Sequence, residues 1–187
     1  MTIPDLCAAL GWAIIPLIAV GSLLHFVYEW SGRHRVAAVF SAVNESYWEH
    51  IKIALWPVAV LDLVLFALGG YAHPAFLPAV TVALYSIPVS MVAIAFAYKA
   101  FTKRNILWVD IALFGVSIAL AQVIAIAVLQ QLQPDAVLVV IAGGFLVALV
   151  VGVVVFTLRP PREPDLFVDP LTGRYGTDHG SEPGERQ

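Results

Sequence analysis

Five long runs of almost uninterrupted apolar residues constrain this chain more than anything else in it. They lie at about Leu6 to Trp30, Ile51 to Gly69, Pro74 to Tyr98, Ile106 to Gln130 and Ala136 to Leu158. A helix needs ~20 such residues to cross ~30 Å of hydrocarbon, whereas strands and ordinary core helices are shorter. The chain is 60% hydrophobic and 12% charged, against about 25% charged in soluble domains, so no soluble core could hide its apolar surface. The sequence therefore predicts an all-α, polytopic membrane bundle of five transmembrane helices over residues 1–158, with the lipid bilayer as its first partner.

The basic residues give that bundle a direction. Arg33, Arg35 and Lys52 fall between spans one and two. Lys99, Lys103 and Arg104 fall between three and four, and Arg159, Arg162, Arg174 and Arg186 follow span five. Five crossings place every Lys and Arg on one side, which the positive-inside rule makes cytoplasmic. The N-terminus is then outside and the C-terminus cytoplasmic, as in a multi-pass protein of a bacterial plasma membrane. Met1-Thr2-Ile3-Pro4-Asp5 has no basic residue and the first span is too long for a secretory signal, so that span is expected to remain in the mature protein. Cys7 stands alone, which excludes a disulfide framework.

A polar tail, residues 159–187, opens with Arg159-Pro160-Pro161. Its stretch from Leu166 to Gly176 carries turn signals, Asp169-Pro170 and Thr172-Gly173, between apolar residues that can dock on the bundle; order is expected to about 176 and disorder beyond. Gly144, Ala148 and Gly152 in span five, and Ser117, Ala121 and Ala125 in span four, recur every four residues. Such spacing permits close helix approach in lipid, either within the bundle or across a homodimer seam through Gly144, Ala148 and Gly152. Pro16, Pro57, Pro78 and Pro88 lie in or near the spans, and Pro57 is expected to bend span two.

Ionisable residues at membrane depth are costly, so each is a functional candidate. The topology brings several to one end. His25 and Glu29, four apart, share a face of span one; Glu45, Glu49, His50 and Lys52 open span two; Asp110 enters span four. If the helix runs continuously from Glu45, then Glu45, Glu49, Lys52 and Trp56 share a face and His50 points away. Candidate metal ligands are His25, Glu29, His50 and Asp110. Candidate catalytic groups are Glu45, Glu49 and Lys52.

Structural readings compete with these. Ser46 and Glu49 fit a capping box, Lys52 fits a lysine reaching out to the interface, and Trp30, Trp48 and Trp108 fit an aromatic belt. Asp62 stands apart, roughly mid-membrane; the sequence does not name its partner, and Gln122 on span four is one candidate at similar depth.

The string Val43-Asn44-Glu45-Ser46-Tyr47-Trp48-Glu49-His50-Ile51-Lys52 resembles that of a family of small bacterial multi-pass membrane proteins that has no established function. His25 and Glu29 ahead of it, and Phe167 to Gly176 after it, are similar to the same family over most of the chain. The resemblance implies the membrane fold and no activity. A weaker likeness, through Asn44-Glu45-Ser46 and Trp48-Glu49-His50, is to the intramembrane metal hydrolase superfamily of adiponectin receptors and alkaline ceramidases. That superfamily has seven spans and a three-histidine zinc site, and this chain has five spans and no two histidines four apart.

Three functions fit these residues. A divalent metal at the cytoplasmic leaflet suits mixed imidazole and carboxylate ligands, with zinc, iron or manganese as the ion and a hydrolase as its catalytic form. A proton-coupled transporter suits Asp62, and a non-enzymatic accessory or scaffold subunit suits a cluster that only locks helix ends. No P-loop, dinucleotide fingerprint or Gly-x-Ser-x-Gly elbow is present, and no basic stripe points to nucleic acid.

Overall fold

The structure is a computed structural model that describes residues 1–103, 106–161 and 165–176. Six helices account for most of it: α1 (Ile3–Trp30), α2 (Arg35–Phe40), α3 (Tyr47–Ala67), α4 (Phe76–Thr102), α5 (Leu107–Gln131) and α6 (Ala136–Leu158). All but α2 are long and apolar enough to cross a membrane. The predicted five-span, all-α architecture is what the structure shows. At 1.5 Å per residue even α3, with 21 residues, is ~31 Å long, enough for the hydrocarbon core.

The helix starts follow from local chemistry. Thr2 caps α1 in a complete capping box: its Oγ1 accepts from the Asp5 N–H, and its own N–H donates to Asp5 Oδ2. Ser46 caps α3, accepting from the Glu49 N–H at 3.4 Å. Only that half of the expected box forms there. The Glu49 carboxylate turns instead to the Val43 N–H, and the Ser46 N–H donates to Asn44 Oδ1. Glu45 thus precedes the helix, and the continuous face from Glu45 to Trp56 does not exist.

Helix α2 was not expected. Its six residues make under two turns, too few for a periodic pattern to register, and His34 caps it by accepting from the Val36 N–H at 3.3 Å.

Helices α4 and α5 form the tightest pair, α1 packs on α5 and α3, and α6 lies chiefly on α4. Ser117, Ala121 and Ala125 are fully buried in this interior, and Ser90 donates to Ser117 Oγ at 2.9 Å, so the small-residue seam of span four is internal. On α6, a side chain built at Gly144 or Gly152 would meet nothing within 4 Å, and that stripe faces outward. Pro57 and Pro88 lie inside unbroken helices. Trp30 and Trp108 are exposed at the basic end as a belt requires. Trp48 is buried, so it leaves the belt and joins the core.

One approach shapes the functional end. Pro57 has no N–H to offer the Ile53 carbonyl one turn earlier, and that carbonyl faces Gly21 of α1. A Cβ at Gly21 would lie 2.9 Å from Ile53 O and 2.7 Å from Phe114 Cζ. Gly21 therefore lets α1 touch α3 and α5 just before His25. Gly21→Val should cost about 1–3 kcal/mol or more through overpacking, seen as a lower unfolding midpoint in detergent; an unchanged midpoint would refute the contact.

Candidate functional site

The described basic residues fall at the end formed by the C-termini of α1, α4 and α6 and the N-termini of α3 and α5. Here the Asn44–Lys52 string is wired residue by residue. Asn44 Nδ2 donates to the Gly176 carbonyl at 3.1 Å, tying the loop to the tail. Trp48 packs edge-on to Phe156 and against Phe167, with centroids 5.5 and 5.2 Å away. Residues 165–176 lie back on the bundle around buried Phe167, closed by a turn in which Asp169 accepts from the Leu171 N–H and the Thr172 hydroxyl. The stretch expected to be disordered, 177–187, is outside the described residues.

Beneath the loop, Lys52 and Glu49 form a closed pair. Lys52 Nζ lies 2.6 Å from Glu49 Oε2 and donates to the Ala38 carbonyl of α2 at 2.6 Å, while the same Glu49 oxygen accepts from the Val43 N–H at 2.9 Å. The side chains are 0% and 2% exposed. Lys52 therefore does not reach out to the interface, because α2 and residues 41–46 fold over it and supply partners. Neither group lines the two clefts that border Glu45.

Above this pair stands the cluster proper. Glu45 Oε1 lies 3.3 Å from His25 Nε2, and Glu45 Oε2 lies 3.8 Å from His50 Nε2. Ligand atoms of the three residues all fall within 4.8 Å of one another. His25 comes from α1, Glu45 from the loop and His50 from α3. The His50 ring is oriented from behind: Nδ1 lies 2.9 Å from the Ser46 carbonyl, which can only accept, so Nδ1 carries the proton and Nε2 turns to the cluster. The hydrogen bond with His25, helped by the charges of His25 and His50, holds the Glu45 carboxyl below its ordinary value against the opposing effect of burial.

Asp110 joins this end through tyrosines. Tyr98 donates to Asp110 Oδ1 at 2.6 Å and Tyr47 at 3.4 Å. Lys99 Nζ sits 4.0 Å over the Tyr47 ring. Two clefts meet at Glu45, His50 and Asp110. One, of about 380 Å³, opens between α1 and α5 beside Ser22, His25, Phe26 and Ile111. The other, of about 300 Å³, runs under Pro170 and Leu171 of the tail.

Of the sequence candidates, His25, His50 and Asp110 come together as expected, and Glu45 joins them as a ligand-type carboxylate. Glu29 does not: it pairs with Arg33 at 3.1 Å on the exposed side of α1. Asp62 is remote, about 22 Å along α3 from Tyr47. It has no bond from Gln122, whose amide atoms are without hydrogen-bond partners among the described residues. Sequence reasoning missed Tyr98, which carries no local signal, and Gly21, whose signal was its place one turn before His25.

The closed pair makes a prediction. Lys52→Met leaves a buried, uncompensated carboxylate and should destabilise the protein by about 3–5 kcal/mol, whereas Glu49→Gln with Lys52→Met should cost less than the two single changes summed. Unfolding in detergent measures both. Additive losses would show that the groups do not act as a pair.

No curated protein and no solved structure matches this chain. A family model does, over residues 6–177, which takes in the five spans, the Asn44–Lys52 string and the docked tail. The chain belongs to that family, DUF6512, a family of unknown function.

Proposed function

We propose that this is a multi-pass protein of the cell membrane, its basic end facing the cytoplasm, in which His25, Glu45 and His50 bind one divalent transition metal, zinc being the best fit. The observation that carries the reading is the convergence of three ligand-type atoms, from three separate segments, on one half-buried point. Two imidazoles and one carboxylate are a donor set used by catalytic zinc sites, which keep a fourth position open. Bonds of ~2.0–2.1 Å in a tetrahedron put ligand atoms ~3.3 Å apart. The 3.3 Å from His25 Nε2 to Glu45 Oε1 meets that spacing; His50 Nε2 lies 3.8 Å from the other carboxylate oxygen, and one donor atom from each residue falls within 4.8 Å of the other two. Small rotations of these partly exposed side chains close the remaining gap.

The Ser46 carbonyl fixes the His50 ring so that Nδ1 donates to it and Nε2 is turned toward Glu45, the orientation a metal-ligating imidazole needs. An ion bound there supplies Lewis acidity to a molecule in the adjoining clefts. Asp110, on the wall of both clefts, is placed to accept a proton from such a molecule. The positive-inside rule supports the orientation.

Radioactive zinc binding to sealed membrane vesicles tests both parts. Inside-out vesicles should bind one equivalent, and right-side-out vesicles should bind only after permeabilisation. His25→Ala, Glu45→Gln and His50→Ala should each weaken binding roughly tenfold or more, the scale on which even outer-shell partners act, and Glu29→Gln should not. Absence of saturable zinc, or equal loss in Glu29→Gln, would overturn the metal assignment, and uptake by intact right-side-out vesicles would reverse the orientation.

A further inference from the structure

Asp62 of α3 lies far from the cluster and takes no part in it. It is 5% exposed, and its Oδ2 has no hydrogen-bond partner among the described residues. It lines a cavity of about 360 Å³ whose walls include Trp56, Phe66, Phe76, Leu84 and Leu146. That volume lies within the ~300–1,000 Å³ of small-molecule sites. Because α6 packs chiefly on α4, a gap remains beside α3. Val60 and Leu63 at its rim are exposed, so the cavity opens sideways, toward lipid.

The lining chemistry is one-sided. Among the described residues Asp62 is the only ionisable side chain in the wall, and the other lining residues are apolar or aromatic. A carboxylate without a partner in such surroundings carries a large desolvation penalty unless a proton or a cation meets it. A small metal ion does not fit, since one carboxylate gives too few oxygens for a hard cation. A proton relay lacks a next polar group in the cavity wall. A guest that is both apolar and positively charged meets both features: its body fills the apolar volume and its charge meets Asp62 in the wall.

We propose that this cavity is a binding site for a lipophilic organic cation, a quaternary ammonium or protonated amine bearing apolar groups, which enters from the bilayer and pairs with Asp62. The site is independent of the metal cluster at the basic end.

Benzyltrimethylammonium and its uncharged isostere neopentylbenzene, titrated calorimetrically into the full-length protein in detergent, separate charge recognition from cavity filling. The wild type should bind the cation saturably and at least tenfold more tightly than the isostere. Asp62→Asn should lose that advantage, binding the two alike, and Asp62→Glu should restore most of it. Glu45→Gln and His50→Ala should leave the cation's affinity unchanged, so that failure of the metal site and failure of this one are distinguishable. No saturable cation binding by the wild type, a wild-type preference for the isostere, or full cation affinity in Asp62→Asn would overturn the proposal. If Asp62→Asn does not fold, Leu84→Trp, which fills the cavity, takes its place and must abolish binding of the cation.

Discussion

The Glu49–Lys52 pair, sealed from water where α3 enters the membrane, is the contact on which the rest of the functional end depends. Two opposite charges withdrawn from solvent are tolerated only when their remaining hydrogen-bonding capacity is met. Here Val43 and Ala38 meet it with a backbone N–H and a backbone carbonyl. To bring those groups over the pair, α2 must form and residues 41–46 must cross the end of α3. That crossing leaves Ser46 at the helix cap and Glu45 just outside it, aimed at the histidines. Neither charge lines the clefts beside Glu45, and what the pair visibly does is hold α2 and residues 41–46 over the start of α3.

The other half of the arrangement is helix approach. A proline that cannot close its own turn and a glycine that offers no Cβ let α1 come against α3 and α5. The next turn of α1 presents His25 to Glu45. The tail completes the end from outside, through Phe167 on Trp48 and Gly176 on Asn44. The family match spans each of these parts.

The spans were legible because hydrocarbon imposes a length and a composition that few other structures share. The Ser46 cap was legible for a similar reason: a hydroxyl three residues ahead of a glutamate at the edge of an apolar run has few other uses. What escaped reading was decided by tertiary partners. Glu29 and Glu45 are equally plausible companions for His25 in one dimension, and Arg33, one turn beyond Glu29, takes Glu29 away. Lys52 looked like an interfacial lysine because nothing local announces the carbonyl of Ala38 as its partner. Trp48 looked like a belt residue because the tail that buries it lies over a hundred positions along the chain. Periodicity reports which face a residue occupies, and the identity of the neighbour on that face is set elsewhere.

If His25, Glu45 and His50 act together as one coordination site, a metal held there takes its geometry from all three. Cobalt substitution reads coordination directly, because a four-coordinate ion with nitrogen and oxygen ligands absorbs visible light far more strongly than a hydrated six-coordinate one. The protein loaded with one equivalent of cobalt should show the intense four-coordinate spectrum, and His50→Ala should abolish it while Glu29→Gln leaves it intact. A weak six-coordinate spectrum in the wild type, or a four-coordinate spectrum that survives loss of His50, would contradict the account.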